Sequence, residues 1–305
     1  MNSLSELSLQ EYCMPEKIQY SSSGIAIASN LIYTQGMLAN SYFFGHPIWA
    51  KKDFHRETHN QFWKSRWQNH ISSWDGKVVV DIGCGYGHVF ATLGGDPRLI
   101  IGIDISLGAL EHARQLGYTP LLADAQNLPL KSGFADIVTL NATLHHCDNM
   151  AQVLREAARL VKPGGLLVTD LDPQKSAWDF KGLGLLVNKA RRRFPMYWLL
   201  RFSRYRSRTE IEMRYATETH NFSPGDGITP QLYEHVLQPL DFDFEIYPHN
   251  HNVGNDLFSG NLGKLPWQYR LAQKLSGIQP NQSVSAQSVM CVAHAPDYRR
   301  NRELF

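Results

Sequence analysis

The chain has 305 residues, 43% hydrophobic and 19% charged, with a formal net charge of +2. That balance excludes a disordered or collagen-like chain, and the length suits one large domain with additions or two modest ones. No apolar run approaches about 20 residues, so no membrane-spanning helix is expected. The four cysteines (Cys13, Cys84, Cys147, Cys291) form no C-x-x-C pair and are too sparse for a disulfide framework. They read as free thiols, and without a signal-peptide pattern the expected location is cytoplasmic.

In chain order, the first 74 residues open on a polar stretch. Residues 24–40 predict a short helix, and residues 47–70 a longer one rich in Trp, Phe and His. Within it His55, His59, Trp63 and Trp67 recur every four residues and would share one helical face. Two histidines at i, i+4 are half of a metal-binding pattern, with His70 not far off. Spacing identifies no third ligand, so no metal is assigned and the segment reads as an amphipathic aromatic helix.

Residues 78–90 read VVVDIGCGYGHVF. The β-branched run at 78–80 predicts a central parallel strand, and the glycines after it let the backbone lie flat against a nucleotide-like ligand. A dinucleotide fingerprint counted from Gly83 would need a third glycine at position 88, where His88 stands. The spacing is instead D-x-G-x-G-x-G, from Asp81 through Gly83, Gly85 and Gly87, and no Walker-type Lys-Ser/Thr follows.

A second buried strand at 99–104 (LIIGID) ends in Asp104, and Ser106 is placed to cap the helix beyond it. LLAD at 121–124 leads into AQNLPL. A strand at 136–141 then ends in ATLHHCDN. Residues 150–161 carry one apolar helical face and stop at KPGG (162–165), before a strand at 165–170. Further on, 231–240 and 265–275 predict helices, and 242–247 and 287–294 predict strands.

Together these motifs, over residues 75–172, resemble the class I S-adenosylmethionine (SAM)-dependent methyltransferases. The likeness is to the small-molecule group that includes the ubiquinone/menaquinone methyltransferases. The resemblance implies an α/β, Rossmann-like, doubly wound seven-stranded sheet whose strand 7 inserts antiparallel between strands 5 and 6. It divides the chain into an N-terminal helical lid (1–74), the SAM-binding core (75–172), an inserted helical cap (173–230) and a C-terminal completion of the sheet (231–305) with its own insertion at 250–282.

The implied cofactor is SAM. Asp81 would sit near its amino-acid end, with the turn of Gly83, Cys84, Gly85 and Gly87 against ribose and methionine. Cys84 reads there as a packing residue and not a nucleophile. Asp104 would accept both ribose hydroxyls and Ile105 would cover one adenine face. Asp124 and the Ala125 backbone would meet the adenine edge, and Asn141 completes the set.

The chemistry implied is displacement at the SAM methyl carbon, for which an oxygen or nitrogen acceptor also needs a base. His145 and His146 follow the strand at 136–141, and His249 and His251 follow the one at 242–247. These four are the candidates, with His220 recommended by nothing but position. Asp170 and Asp172 orient the acceptor or cap the next segment.

The stretch Lys181–Arg208 contains nine Lys/Arg and no acidic residue, so the rest of the chain is net negative. Three readings compete for it: a cap over the substrate pocket, a peripheral contact with anionic lipid, and a nucleic-acid contact. Nucleic acid ranks last. Asn-Ala-Thr-Leu at 141–144 stands where enzymes that methylate base amino groups carry [DNS]-P-P-[YF]. The expected function is methyl transfer to a small-molecule acceptor, at oxygen, in biosynthetic or secondary metabolism. The alternatives are a lipid or quinone methyltransferase at a membrane surface, or a non-catalytic SAM-binding regulatory or scaffold protein. Nothing in the sequence sets the oligomeric state.

Overall fold

The computed structural model describes residues 9–71, 73–193, 216–217 and 225–297. Residues 194–208 of the basic stretch, and His220, lie outside the described residues. Two short strands, β1 (Ile18–Tyr20) and β2 (Ala26–Ala28), precede the helices α1 (Gln35–Gly45), α2 (Pro47–Thr58) and α3 (Gln61–His70). The core follows as β3 (Val78–Ile82), α4 (His88–Leu93), β4 (Leu99–Asp104), α5 (Leu107–Gln115), β5 (Thr119–Leu122), β6 (Ala135–Asn141), α6 (Met150–Leu160) and β7 (Val161–Pro173). Then come α7 (Lys175–Trp178), α8 (Gly182–Arg193), α9 (Pro230–Leu237), β8 (Asp243–His249), α10 (Trp267–Leu275) and β9 (Ser288–His294).

The strands form one sheet in the order β1-β2-β5-β4-β3-β6-β7-β9-β8. Its seven strands from β5 to β8 reproduce the expected doubly wound order. β3 to β7 pair in parallel, and β9 lies antiparallel between β7 and β8. All five residues of β3 are buried, as a strand covered on both faces requires. Chain order reverses between β3 and β6, and the crevice beyond their carboxyl ends is where such sheets bind ligands.

Local capping fixes the helices beside this crevice. The Ser106 side chain accepts the Ala109 N–H at the start of α5, and the Asn149 side chain accepts the Gln152 N–H at the start of α6. On α6, Val153, Leu154, Ala157, Ala158 and Leu160 form the buried stripe against the sheet.

Three expectations are corrected. First, among the described residues the sheet has nine strands, because β2 pairs in parallel with β5 and β1 pairs antiparallel with β2. Residues 26–28 are therefore strand where helix was expected, since two buried alanines there cover the edge of β5. Helix begins only at α1, where the Thr34 side chain accepts the Met37 N–H.

Second, the single helix expected over 47–70 is two. Asn60 interrupts it and caps α3 by accepting the Trp63 N–H at 3.1 Å. His55 and His59 therefore leave the face that Trp63 and Trp67 share; their rings sit 4.2 Å apart at the surface, while both tryptophans are core. Third, Lys162-Pro163-Gly164-Gly165 lies inside β7 and does not precede it. The register with β6 shifts between Ala135 and Ile137 to absorb those residues.

Candidate active site

A cavity of about 760 Å³ opens at the carboxyl ends of β3 to β7. Gly83, Gly85, Asp104, Ile105, Asp124, Ala125 and Asn141 line one half. The other half is lined by His145, His146, Leu171, Trp178, His251 and Tyr269, and Phe43, Phe44 and Phe54 reach in from α1 and α2. Five described non-glycine residues hold positive φ, and three of them line this cavity: Ala142 (54°), Leu171 (63°) and His251 (66°). Such backbone is unfavourable for side chains with a Cβ, and it is concentrated on this wall.

The first half is built mostly from backbone and carboxylates. Gly85 has φ of 51°, and a Cβ there would meet no atom within 4 Å, so its backbone faces open cavity. Asp104 accepts the Gly85 N–H at 2.9 Å on Oδ2 and the Ser106 N–H at 2.8 Å on Oδ1. Each oxygen keeps acceptor capacity, so the pair suits a vicinal diol. Burial raises the Asp104 pKa, while amides of Ser106, Gly85 and Ile105 oppose that rise. Asp124 is held by the Gln126 N–H at 2.9 Å and by the Gln126 side chain. The neighbouring Ala125 N–H makes no hydrogen bond among the described residues.

Asp81 and Cys84 are elsewhere. Asp81 is buried beneath the turn, accepting from Thr139 Oγ1 at 2.9 Å and Tyr118 Oη at 2.8 Å, and is not among the cavity-lining residues. Burial pushes its pKa up to about 7 against those two hydrogen bonds. Cys84 is fully buried with its thiol against the Gly85 carbonyl, and burial raises its pKa well above the ordinary thiol value. A Cβ on Gly87 would strike the Tyr118 ring at 2.7 Å, so this glycine serves close packing behind the turn.

Two carboxylate–histidine pairs flank the second half. Asp172 Oδ1 accepts both the His145 backbone N–H at 3.0 Å and the His145 Nδ1–H at 2.8 Å. This contact places the imidazole proton on Nδ1 and the basic lone pair on Nε2. Asp172 Oδ2 is buried without a partner among the described residues, so the His145 ring is the principal group facing its charge. His146 donates through Nδ1 to the Thr217 carbonyl at 2.6 Å and packs edge-on against Phe44.

The second pair is Asp170 and His249. Asp170 Oδ2 accepts from Arg66 Nε (3.0 Å), Arg66 Nη2 (2.8 Å) and Trp67 Nε1 (2.8 Å), while Oδ1 accepts from His249 Nε2 (2.8 Å). Every one of these side chains is buried. Burial alone would raise the Asp170 pKa, but Arg66 and His249 hold it well below the usual carboxylate range. Burial lowers the His249 pKa, against the pull of Asp170, and its Nδ1 accepts the His251 N–H at 3.1 Å. His249 thus fixes the left-handed backbone that turns His251 into the cavity, without lining the cavity itself. His251 is exposed at the cavity wall, and desolvation by the surrounding protein lowers its pKa.

Residues 80–169 match a family model described as a methyltransferase domain. The chain carries a class I SAM-dependent methyltransferase domain. A demethylmenaquinone methyltransferase of Corynebacterium kroppenstedtii is 34% identical over 105 residues, covering 34% of this chain and 46% of that protein. A malonyl-[acyl-carrier protein] O-methyltransferase of Yersinia pestis is 32% identical over 115 residues, 34% of this chain and 42% of its own length. A tRNA (carboxymethyluridine(34)-5-O)-methyltransferase of Arabidopsis thaliana is 37% identical over 97 residues, 30% of this chain and 23% of that protein. The chain spans less than half the length of each of these relatives.

SAM is the cofactor of the methyltransferase domain, and the first half of the cavity fits it. Asp104 would take the ribose diol, Ile105 an adenine face, and Asp124 with the Ala125 N–H the adenine edge. Gly85, where an added Cβ would meet nothing, leaves room for the chain between them, whereas Gly83 packs against Thr143. Asn141 lines the same wall, with its Oδ1 accepting from Trp63 Nε1 and its Nδ2 donating to His88 Nε2, both at 2.8 Å.

His88 is a cavity residue that sequence reasoning missed, although it was visible as the residue breaking the dinucleotide spacing. Arg66 and Trp67 carried no signal beyond helical spacing, because their partner Asp170 is over 100 residues away. Together Trp63, Arg66 and Trp67 fasten α3 to the sheet, which leaves α1 and α2 as the parts of the N-terminal segment that cover the cavity. Among the described residues no group of three or more His, Cys, Asp or Glu is arranged for a metal, and no helix is long and apolar enough to cross a membrane.

Proposed function

We propose that this chain transfers the methyl group of SAM to an oxygen of a small, ring-bearing acceptor, with His145 as the proton acceptor. The observation that carries this reading is His145 in the cavity wall, paired with the buried Asp172. When bound, SAM supplies a methyl carbon already activated by its sulfonium. The chain's own part is to hold the acceptor, exclude water and accept the hydroxyl proton.

Asp172 orients the His145 ring and holds the neutral imidazole's proton on Nδ1, so that Nε2 carries the lone pair. It also stabilises the imidazolium that forms when Nε2 takes the proton, because its buried charge then gains a cation. His251, in the same wall, is a second polar group for positioning the acceptor. Phe43, Phe44, Trp178 and Tyr269 offer ring faces, and the cavity volume falls in the range of sites for compact organic ligands. The aromatic α1 and α2 act as the lid that keeps water from the reacting atoms.

The test is SAM consumption with a panel of phenols and enols, comparing the wild-type protein with His145→Gln. The substitution should lower kcat on the order of 10²–10⁴-fold, with the acid limb of the pH–rate profile lost. SAM affinity by calorimetry should be unchanged. Wild-type turnover by His145→Gln would remove the assignment of the base. Turnover confined to amines or thiols would remove oxygen as the acceptor atom.

A further inference from the structure

We infer that α8 and α10 together form a docking face for an anionic lipid surface. The two helices meet closely at Gly184: a Cβ there would lie 2.0 Å from Ser276 Oγ and 2.2 Å from the Ala272 carbonyl oxygen. Only a residue without a side chain allows that approach, so the helices sit as one paired unit. Bordering the seam are apolar side chains turned to solvent. Leu183 is 64% exposed, Leu186 61%, Leu271 40% and Leu275 42%, and Trp267, a turn before Leu271, is 62% exposed.

The exposed stripe of α10 reads Trp267, Arg270, Leu271, Lys274, Leu275, which alternates apolar and basic groups at helical spacing. On α8, Lys189 is also exposed. Neither helix contains an Asp or Glu. A formal net charge of only +2 for the whole chain shows that this bias is local.

The chemistry of the face selects its occupant. Protein interfaces deplete Lys at their centres, whereas a membrane surface favours Trp and Leu at the acyl boundary with Lys and Arg beside anionic headgroups. The charge complementarity is therefore with phosphate-bearing lipid. The position also has a use. Tyr269 of the same helix lines the cavity, and its ring packs edge-on against Trp178 at 5.4 Å. The docking face and the acceptor wall thus share one helix, which brings the cavity close to a lipid layer holding an apolar acceptor. The docking itself does not depend on the identity of the base.

The experiment is vesicle flotation of the full chain with phosphatidylcholine alone and with phosphatidylcholine mixed with phosphatidylglycerol. The wild-type protein should float with the anionic vesicles, little with the neutral ones, and be released by high salt. Arg270→Glu combined with Lys274→Glu should weaken partition on the order of thirtyfold or more. Leu271→Ser combined with Leu275→Ser should weaken it as well, through lost apolar insertion.

Brominated acyl chains should quench part of the tryptophan emission in the wild-type protein and less in Trp267→Phe. Thermal midpoint and SAM affinity, measured on each variant, should match the wild type, which separates this result from the cofactor and base assignments. Absence of flotation with anionic vesicles overturns the proposal, including when the protein instead self-associates through this face. Flotation that both double variants retain also overturns it, by placing the contact elsewhere in the chain.

Discussion

The two halves of the cavity are built in different ways. The cofactor half comes from short segments at successive strand tips, residues 83–85, 104–105, 124–125 and 141, where backbone amides and two carboxylates do most of the work. The acceptor half gathers side chains from residues 145–146, 171, 178, 251 and 269, on five separate segments. A site made of backbone is set by the sheet itself and tolerates varied surroundings. One made of side chains from distant segments depends on how each is anchored. The names of the relatives differ in the same respect, citing a demethylmenaquinone, a malonyl-acyl-carrier protein and a tRNA.

The sharpest way to break this comparison is at the anchor of the acceptor half. Arg66→Met leaves Asp170 buried without its cation and should cost about 3–5 kcal/mol of stability in urea unfolding. Because the folded-state pKa of Asp170 is depressed, its stabilising contribution is full above about pH 4 and is lost as pH falls further. The gap between wild type and Arg66→Met should therefore narrow below about pH 4. A loss under about 1 kcal/mol at neutral pH would mean that α3 is not held in this way.

Next is the cofactor half itself. Asp104→Ala removes the acceptor assigned to the ribose diol, and two hydrogen bonds to a charged group make the expected fall in SAM affinity roughly 100-fold or more. Calorimetry showing unchanged affinity would end that assignment.

The smallest effect is expected at Asp81, the acid that opens the glycine turn. Since Asp81 does not line the cavity, Asp81→Asn should change SAM affinity by less than about threefold, within the loss of one neutral hydrogen bond. Its raised folded-state pKa, about 7, stabilises the fold at low pH, and that contribution is lost as pH rises from the ordinary carboxylate value through 7. Relative to the wild type, Asp81→Asn should thus gain stability over that interval. A large loss of SAM affinity would return Asp81 to the binding surface.

Much of the first half was legible because its signals are local. Asp104 and Asp124 stand at or just past strand ends, and strand ends can be read from apolar runs and the acid that stops them. The same locality left open on which side of the turn Asp81 and Cys84 would lie. Their side chains point below the turn, and nothing in D-x-G-x-G-x-G distinguishes the two sides of a backbone. The break at Asn60 was missed because aromatic spacing every four residues outweighed one capping residue. The strand at 26–28 was missed because its stability comes from pairing with β5, almost 100 residues away.

By itself the sequence determined the alternation of strand and helix, the glycine turn and the acids beyond it, since these follow from periodicity, capping and glycine stereochemistry over a few residues. Only the tertiary structure decided which histidine meets which carboxylate. His145 finds Asp172 across 27 positions and His249 finds Asp170 across 79, through the parallel pairing of β6 with β7 and the antiparallel return through β9. Contacts of that kind arise from the crossing of the chain over one sheet edge, and no local pattern encodes them.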